Sequence, residues 1–270
     1  MAAGPAKRGK GPRYYASAVV NGAVDGHSWG AARGPVRGQA GETGGMRVTG
    51  VDACRGGWAC VHLDTDEGGD RLTVRMAGSL AEGLAGTAPG QVVGIDMPLG
   101  LLDRGWRAAD EEARRRLGVR RSSIFAIPPA AVWRQPDYQA ALTVCRQLTG
   151  QGFSVQAWGL RAKLREAADY RGHGSQRLYE VHPELSFAAM AGAPLPEPKN
   201  RPAGQALRRS VLAAAGLAVP DDPAWRRAAV DVLDAAAVAW TARRIAAGQA
   251  VVLPDPPQTG QDGLEIAIRY

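Results

Sequence analysis

Acidic side chains stand directly after two apolar segments of the chain, and this placement suggests chemistry. Asp52 follows residues 48–51 in RVTGVDACRGGW, and Asp96 follows residues 92–95 in VVGID. A carboxylate late in an otherwise apolar strand is costly to bury unless something binds it. Two apolar strands that each end in Asp therefore predict one shared site for a cation.

A second acidic pair lies near the end of the chain. Asp231 and Asp234 are three residues apart in a helical segment and so share a face, which Ala235 and Val238 continue as an apolar stripe. Two acids on a buried stripe repel each other unless a cation compensates them. Mg²⁺ and Mn²⁺ favour such oxygen ligands. We predict a Mg²⁺ or Mn²⁺ site whose ligands are Asp52, Asp96, Glu184, Asp231 and Asp234.

Each carboxylate taken alone has a structural explanation. Asp52 can cap a turn, Asp96 can cap the loop before Pro98, and Asp231 can lie on the solvent side of its helix. The prediction therefore rests on the set and on its placement. Ligands of α/β sheets sit beyond the carboxyl ends of the parallel strands, and Asp52, Asp96 and Glu184 are all expected at that end.

Two further groups of residues are candidates for catalysis and phosphate binding. In RLYEVHPE, His182 can orient a nucleophilic water or protonate a leaving group, although a strand-end histidine bonded to a neighbouring carboxylate is equally consistent with its position. Guanidinium, ammonium and hydroxyl groups suit phosphate oxygens. The candidates for phosphate contacts are Arg121, Ser122, Ser123 and Lys163, with Lys199 and Arg208 as weaker choices. Trp106, Trp133, Trp158 and Trp225 can stack on bases, but isolated tryptophans more often pack.

The elements that must position these residues follow from apolar pattern and punctuation. Strands are predicted over residues 47–53, 58–64, 71–77, 92–96 and 177–182. Helices are predicted over residues 79–86, 106–117, 137–149, 156–170, 202–215 and 223–247, the last with Asp222 as N-cap. This order predicts an α/β fold with a mixed five-stranded sheet, a three-strand meander plus parallel strands, flanked by helices.

Composition limits the classes of partner. Residues 1–45 hold six Lys or Arg, two Asp or Glu and eleven glycines, so a disordered basic extension before one domain at residues 46–270 is expected. A start at Met46 and a basic arm for nucleic acid are alternatives. The remaining residues carry a net charge of only +3. Three scattered cysteines and no long apolar run predict a cytoplasmic protein that does not enter membranes; the oligomeric state is left open.

Five motifs in this order resemble an uncharacterised family of predicted nucleases with a ribonuclease H-like fold: GVDACRGGW, GIDMPLG, RRSSIF, EVHPELSF and DVLDAAAVAWTA. The last also resembles the acidic final-helix motif of Holliday-junction resolvases. The resemblance implies a ribonuclease H-like sheet and a Mg²⁺-dependent phosphodiesterase site at Asp52, Asp96 and the Asp231/Asp234 pair. The chain departs from the family at Ala53-Cys54-Arg55, where Gly-Cys-Pro is more usual.

Three functions are consistent with these patterns. The leading prediction is a metal-dependent phosphodiester hydrolase, a nuclease acting on nucleic acid or a nucleotide, in which water attacks phosphorus without a covalent enzyme intermediate. An ATP-dependent phosphotransferase of the actin and sugar-kinase type also opens with an Asp-bearing strand and a Gly-rich turn, but it normally needs two such domains. The third is a non-catalytic ribonuclease H-like binding module.

Overall fold

A five-stranded mixed sheet forms the centre of the computed structural model, which describes residues 45–66, 69–260 and 262–270. Apart from Gly45, the extension predicted for residues 1–45 lies outside the described residues. The strands are β1 (Met46–Cys54), β2 (Gly57–Asp66), β3 (Gly69–Ala77), β4 (Val92–Ile95) and β5 (Arg177–Glu180). All five lie where the sequence predicts strands, although β5 ends earlier than predicted.

The sheet order is β3-β2-β1-β4-β5. The first three strands are antiparallel neighbours, and β1, β4 and β5 run parallel. The predicted mixed sheet is therefore confirmed. The chain also forms an antiparallel ribbon, β6 (Val252–Thr259) and β7 (Glu265–Arg269), that was not predicted. The three prolines of VLPDPPQT argue against a strand in the sequence, whereas a ribbon with an irregular register accommodates them.

Helices cover both faces of the sheet. They are α1 (Leu80–Gly83), α2 (Ala108–Leu117), α3 (Ala130–Trp133), α4 (Tyr138–Thr149), α5 (Val155–Trp158), α6 (Arg161–His173), α7 (Pro183–Ala191), α8 (Pro202–Ala214) and α9 (Ala229–Ala246). Two 3₁₀ segments, Gly118–Ser123 and Pro223–Ala228, lead out of α2 and into α9. None of the described helices is both long and apolar enough to cross a membrane.

The structure corrects three of the predicted elements. Residues 223–247 form a 3₁₀ segment and then α9, because Trp225 leaves helical backbone angles, and Asp222 caps the 3₁₀ segment instead of a long helix. The helix predicted over residues 156–170 is divided into α5 and α6. The strand predicted over residues 177–182 ends at Glu180, since Pro183 opens α7 at its first turn.

Two glycines allow α9 to approach the sheet closely. Gly50 and Gly94 are directly paired across β1 and β4. A Cβ on Gly50 would lie 2.1 Å from the backbone nitrogen of Ala239, and one on Gly94 would lie 2.8 Å from Cγ1 of Val238. Larger residues at these two positions would therefore push the helix away. The rest of this interface is apolar, with Val48 and Val61 of the sheet and Ala235 of α9 in one buried cluster.

Candidate active site

Three carboxylates from β1, β4 and α9 meet at the carboxyl end of the parallel strands. Side chains alternate along a strand, so Asp52 and Asp96 point to the same face as Gly50 and Gly94, toward α9. The amide of Asp96 donates to the Val51 carbonyl at 2.8 Å, which extends the β1–β4 ladder to the acids. On α9, Asp234 lies one turn before Val238, above the same end of the sheet.

The three carboxyl groups are close enough to perturb one another. Burial, then the charges of Asp96 and Asp234, raise the pKa of Asp52 well above its ordinary value. Burial also raises the pKa of both Asp96 and Asp234. The Asp52 side chain is close enough to Asp96 to lower the pKa of Asp96 by hydrogen bonding, against the larger effect of burial. Such strongly perturbed neighbouring acids are typical of functional sites.

Lys199 brings a cation to this acidic group. It lies on the loop between α7 and α8, and its Nζ donates to Oδ2 of Asp234 at 2.7 Å. The side chain of Asp234 is only 1% exposed, whereas that of Lys199 is 41% exposed. The charges of Asp234, Asp52 and Asp96 raise the pKa of Lys199, so its ammonium interacts with all three acids.

Glu184 is in the first turn of α7, beyond the end of β5, and it lines the cleft. Oε1 of Glu184 accepts from Nη2 of Arg208, and both side chains are buried. Oε2 of Glu184 is buried and has no hydrogen-bond partner within the described part of the chain. Arg208, a weaker candidate for phosphate contacts, is therefore an internal ion-pair partner instead.

His182 caps α7. Its Nδ1 accepts from the backbone amide of Glu184 at 3.2 Å, and its Nε2 lies 3.3 Å from the Ser123 carbonyl. These two contacts fit a neutral imidazole with the proton on Nε2. The ring lines the cleft, but both nitrogens are engaged by backbone groups, so in this geometry neither is available to orient a water or to protonate a leaving group.

The structure places some of the remaining predicted site residues in the cleft lining and others outside it. Ser122 and Ser123 line the cleft above the acids, whereas Arg121, Lys163 and Asp231 lie outside its lining. Arg121 is exposed. Lys163 pairs with Glu166 at 3.3 Å and sits over the Trp58 ring. Asp231 is half-buried, and burial together with the charge of Asp234 raises its pKa to about 6.

The cleft has a volume of about 450 Å³, and its lining contains residues that are not among the predicted site residues. Arg120, Phe125 and Asn200 belong to its wall. Asp110 and Glu180 also line the cleft, and the buried Arg107 pairs with Asp110 at 3.2 Å and with Glu180. Glu180 in turn accepts from the Leu99 amide, just beyond Asp96. No local sequence signal indicates this network, because its members lie on three separate elements.

A family model described as "Protein of unknown function (DUF429)" matches residues 50–259. The chain belongs to this family. Searches of curated proteins and of solved structures found no match for it. The matched range of this DUF429 chain includes Asp52, Asp96 and Asp234.

The DUF429 site contains carboxylate oxygens of the kind that a divalent cation needs as ligands. Among the described residues, no three or more His, Cys, Asp or Glu side chains are grouped as a ready-made metal site. Oδ1 of Asp234 is nevertheless buried and finds no hydrogen-bond partner in the part of the chain that the structure describes, while Lys199 holds Oδ2. Carboxylate oxygens are the ligands that Mg²⁺ prefers. Asp52, Asp96 and Asp234 therefore fit such an ion as a donor set, with the Lys199 ammonium as its competitor.

The buried Asp110 of the cleft lining gives a pH-dependent prediction. Burial raises the pKa of Asp110 to about 7, although Arg107 opposes the shift. The folded protein then keeps a proton that the unfolded chain releases near its ordinary pKa. This contribution to stability is complete below about pH 4 and is lost as the pH rises through about 7. We expect urea unfolding to show a loss of roughly 2 kcal/mol between about pH 5 and about pH 8 that Asp110→Asn removes. Glu111→Gln, exposed on the same helix, is the control, and parallel profiles for wild type and Asp110→Asn would contradict the expectation.

Proposed function

We propose that this DUF429 protein is a metal-dependent phosphodiester hydrolase, a nuclease acting on nucleic acid or a nucleotide, and that its fold is ribonuclease H-like. The observation that carries the proposal is the convergence of Asp52, Asp96 and Asp234 at the carboxyl end of parallel strands, with one ammonium beside three acids. The meander followed by parallel strands, and the acid on the helix that crosses them, support the fold assignment.

The residues of the cleft have separate roles in holding the cation and in binding the phosphate. Asp52, Asp96 and Asp234 would hold the cation, and Glu184 can contribute its unpartnered Oε2. A bound Mg²⁺ or Mn²⁺ supplies positive charge beside the phosphoryl group and promotes ionisation of water. Ser122 and Arg120 supply donors to phosphate oxygens from the cleft wall. Lys199, once released from Asp234, can neutralise charge that develops on the phosphate.

Two features support the proposed compartment and the proposed anionic substrate. The described cysteines, Cys54, Cys60 and Cys145, are all free, which is consistent with the proposed cytoplasmic compartment. The cleft carries basic and hydroxyl groups as well as acids, which is the combination that an anionic substrate and a cation need together.

The experiment that tests the proposal is a hydrolysis assay with matched variants. The full chain is incubated with Mn²⁺ or Mg²⁺ and labelled single-stranded, duplex and branched DNA and RNA. We expect cleavage that Asp96→Asn lowers by at least about a hundredfold, because it removes a charged group at the centre of the site. Asp169→Asn, an exposed acid on α6, should leave the rate unchanged. Transfer of phosphate from ATP to small acceptors without any cleavage would favour the phosphotransferase instead.

A further inference from the structure

One aromatic side chain is held at the mouth of the cleft without full burial. The large apolar side chains that are exposed among the described residues are Met46, Met76, Val119, Phe125, Val155 and Leu264. Of these, Phe125 is the aromatic one, and it lines the cleft. It is 36% exposed. A phenyl ring left partly in water at a binding site is a surface on which a planar ligand gains apolar contact.

The local backbone fixes Phe125 in this position. Ile124, 4% exposed, belongs to the cluster under β7, and Ile127, 3% exposed, belongs to the cluster under β4. The backbone at Ile124 is extended, so consecutive side chains alternate in direction. Because the Ile124 side chain is anchored in its cluster, the Phe125 side chain is directed away from that cluster and lines the cleft. The tryptophans considered from the sequence are different, since Trp133 and Trp158 stack on each other at 6.2 Å and pack with Phe153.

The same segment carries the polar half of a binding surface. Arg120 donates from Nε to the Leu195 carbonyl at 2.8 Å, while its Nη2 is buried without a hydrogen-bond partner among the described residues. Ser122 is exposed beside it on the cleft wall. An unused guanidinium donor next to a hydroxyl is suited to a phosphate oxygen. The segment thus offers an aromatic surface and phosphate donors within six residues.

The volume of the cleft favours an unpaired nucleotide over a double helix as the ligand. Its volume of about 450 Å³ falls within the range of about 300–1,000 Å³ that is typical of small-molecule pockets. A double helix presents its phosphates along an outer surface and needs an open groove. Resting on the hydrolase proposed above, we infer that the site takes one unpaired nucleotide unit. Its base stacks on Phe125 and its phosphate meets Arg120 and Ser122 beside the acids. The source is a free nucleotide or the end of a single strand.

The test is equilibrium binding to the full chain of AMP, compared with ribose 5-phosphate, which lacks the base. AMP is a phosphomonoester that a phosphodiesterase leaves intact, so binding is measured without turnover. We expect Phe125→Ala to weaken AMP binding about 5- to 150-fold, the range that base–aromatic stacking gives, and to leave ribose 5-phosphate unchanged. Phe125→Trp should retain AMP binding because it keeps a stacking surface. Val119→Ala, exposed on the same segment outside the cleft lining, is the matched control.

The outcomes separate this inference from the proposed hydrolase. Equal binding of AMP and ribose 5-phosphate, or no effect of Phe125→Ala on AMP, overturns the nucleotide site and leaves the cleavage assay to judge the hydrolase. Phe125-dependent AMP binding by a protein that cleaves no diester supports the nucleotide site and overturns the hydrolase. A 5′-phosphorylated single strand that competes with AMP identifies a strand end as the source, and its failure to compete identifies the free nucleotide. Competition by blunt duplex equal to that by the single strand overturns the restriction to unpaired units.

Discussion

Arg208→Met is expected to lower the free energy of unfolding by about 3–5 kcal/mol. The Arg208 and Glu184 side chains are 1% and 9% exposed, so the variant leaves a buried carboxylate without its cation. Arg208 also donates from Nη1 to the carbonyls of Glu197 and Gly204, which ties α8 to the loop that carries Lys199. Chemical denaturation at neutral pH measures the loss. The same variant should also loosen the position of Lys199 beside Asp234.

Two further variants make this expectation specific to the buried charge. Glu184→Met combined with Arg208→Met removes both partners, and we expect it to recover much of the loss because an apolar pair leaves no charge unpaired. Arg209→Met, on the next residue of α8, breaks a contact of 3.7 Å with the exposed Asp221 and two hydrogen bonds to loop carbonyls, and it should cost clearly less because it leaves no buried charge unpaired. Equal losses for Arg208→Met and Arg209→Met, or no recovery in the double variant, would contradict the argument.

The sequence predicted the sheet well because its strands are apolar and bounded by turn residues. Residues 92–95 are buried throughout and stop before Pro98, so both the strand and the acid that follows it were readable. The ribbon β6–β7 was missed because prolines dominate one strand and the pairing is irregular. The helix α7 is not among the predicted elements because Pro183 after an apolar segment indicates the end of a strand. Proline is also common in the first turn of a helix, and here it begins α7.

The sequence predicts the site residues whose positions follow from their own strand or helix. It does not predict the contacts that form only when separate helices and loops pack together. Asp52 and Asp96 follow from strand ends, and Asp234 follows from the apolar stripe of its helix. The pairing of Glu184 with Arg208 depends on how α7 and α8 pack, and no spacing encodes it. Lys199 lies on a loop with no periodicity, so its contact with Asp234 required the folded structure. The exclusion of Asp231 from the cleft lining likewise reflects the rotation of α9.

Lys199→Met is expected to tighten Mn²⁺ binding about 10- to 100-fold. The Lys199 ammonium holds Oδ2 of Asp234 at 2.7 Å, so an incoming cation must displace it before that oxygen can become a ligand. Removing the ammonium removes this competition, and a factor of ten corresponds to about 1.4 kcal/mol. Without metal the variant should be less stable than wild type, because Asp234 is 1% exposed and loses its partner. Added Mn²⁺ should therefore raise its melting temperature more than that of wild type.

Calorimetric titration at about pH 8, where ordinary carboxyl groups are ionised, measures the affinity directly. Lys163→Met is the matched control, since Lys163 also pairs with a carboxylate, Glu166 at 3.3 Å, but lies outside the cleft lining. Lys199→Arg retains a cation and should keep Mn²⁺ affinity near the wild-type value. If Lys199→Met bound Mn²⁺ no more tightly than wild type and Lys163→Met, the ammonium would not be competing for the cation position. The acids would then need another explanation for their convergence, such as proton sharing between Asp52 and Asp96 balanced by the Lys199–Asp234 pair.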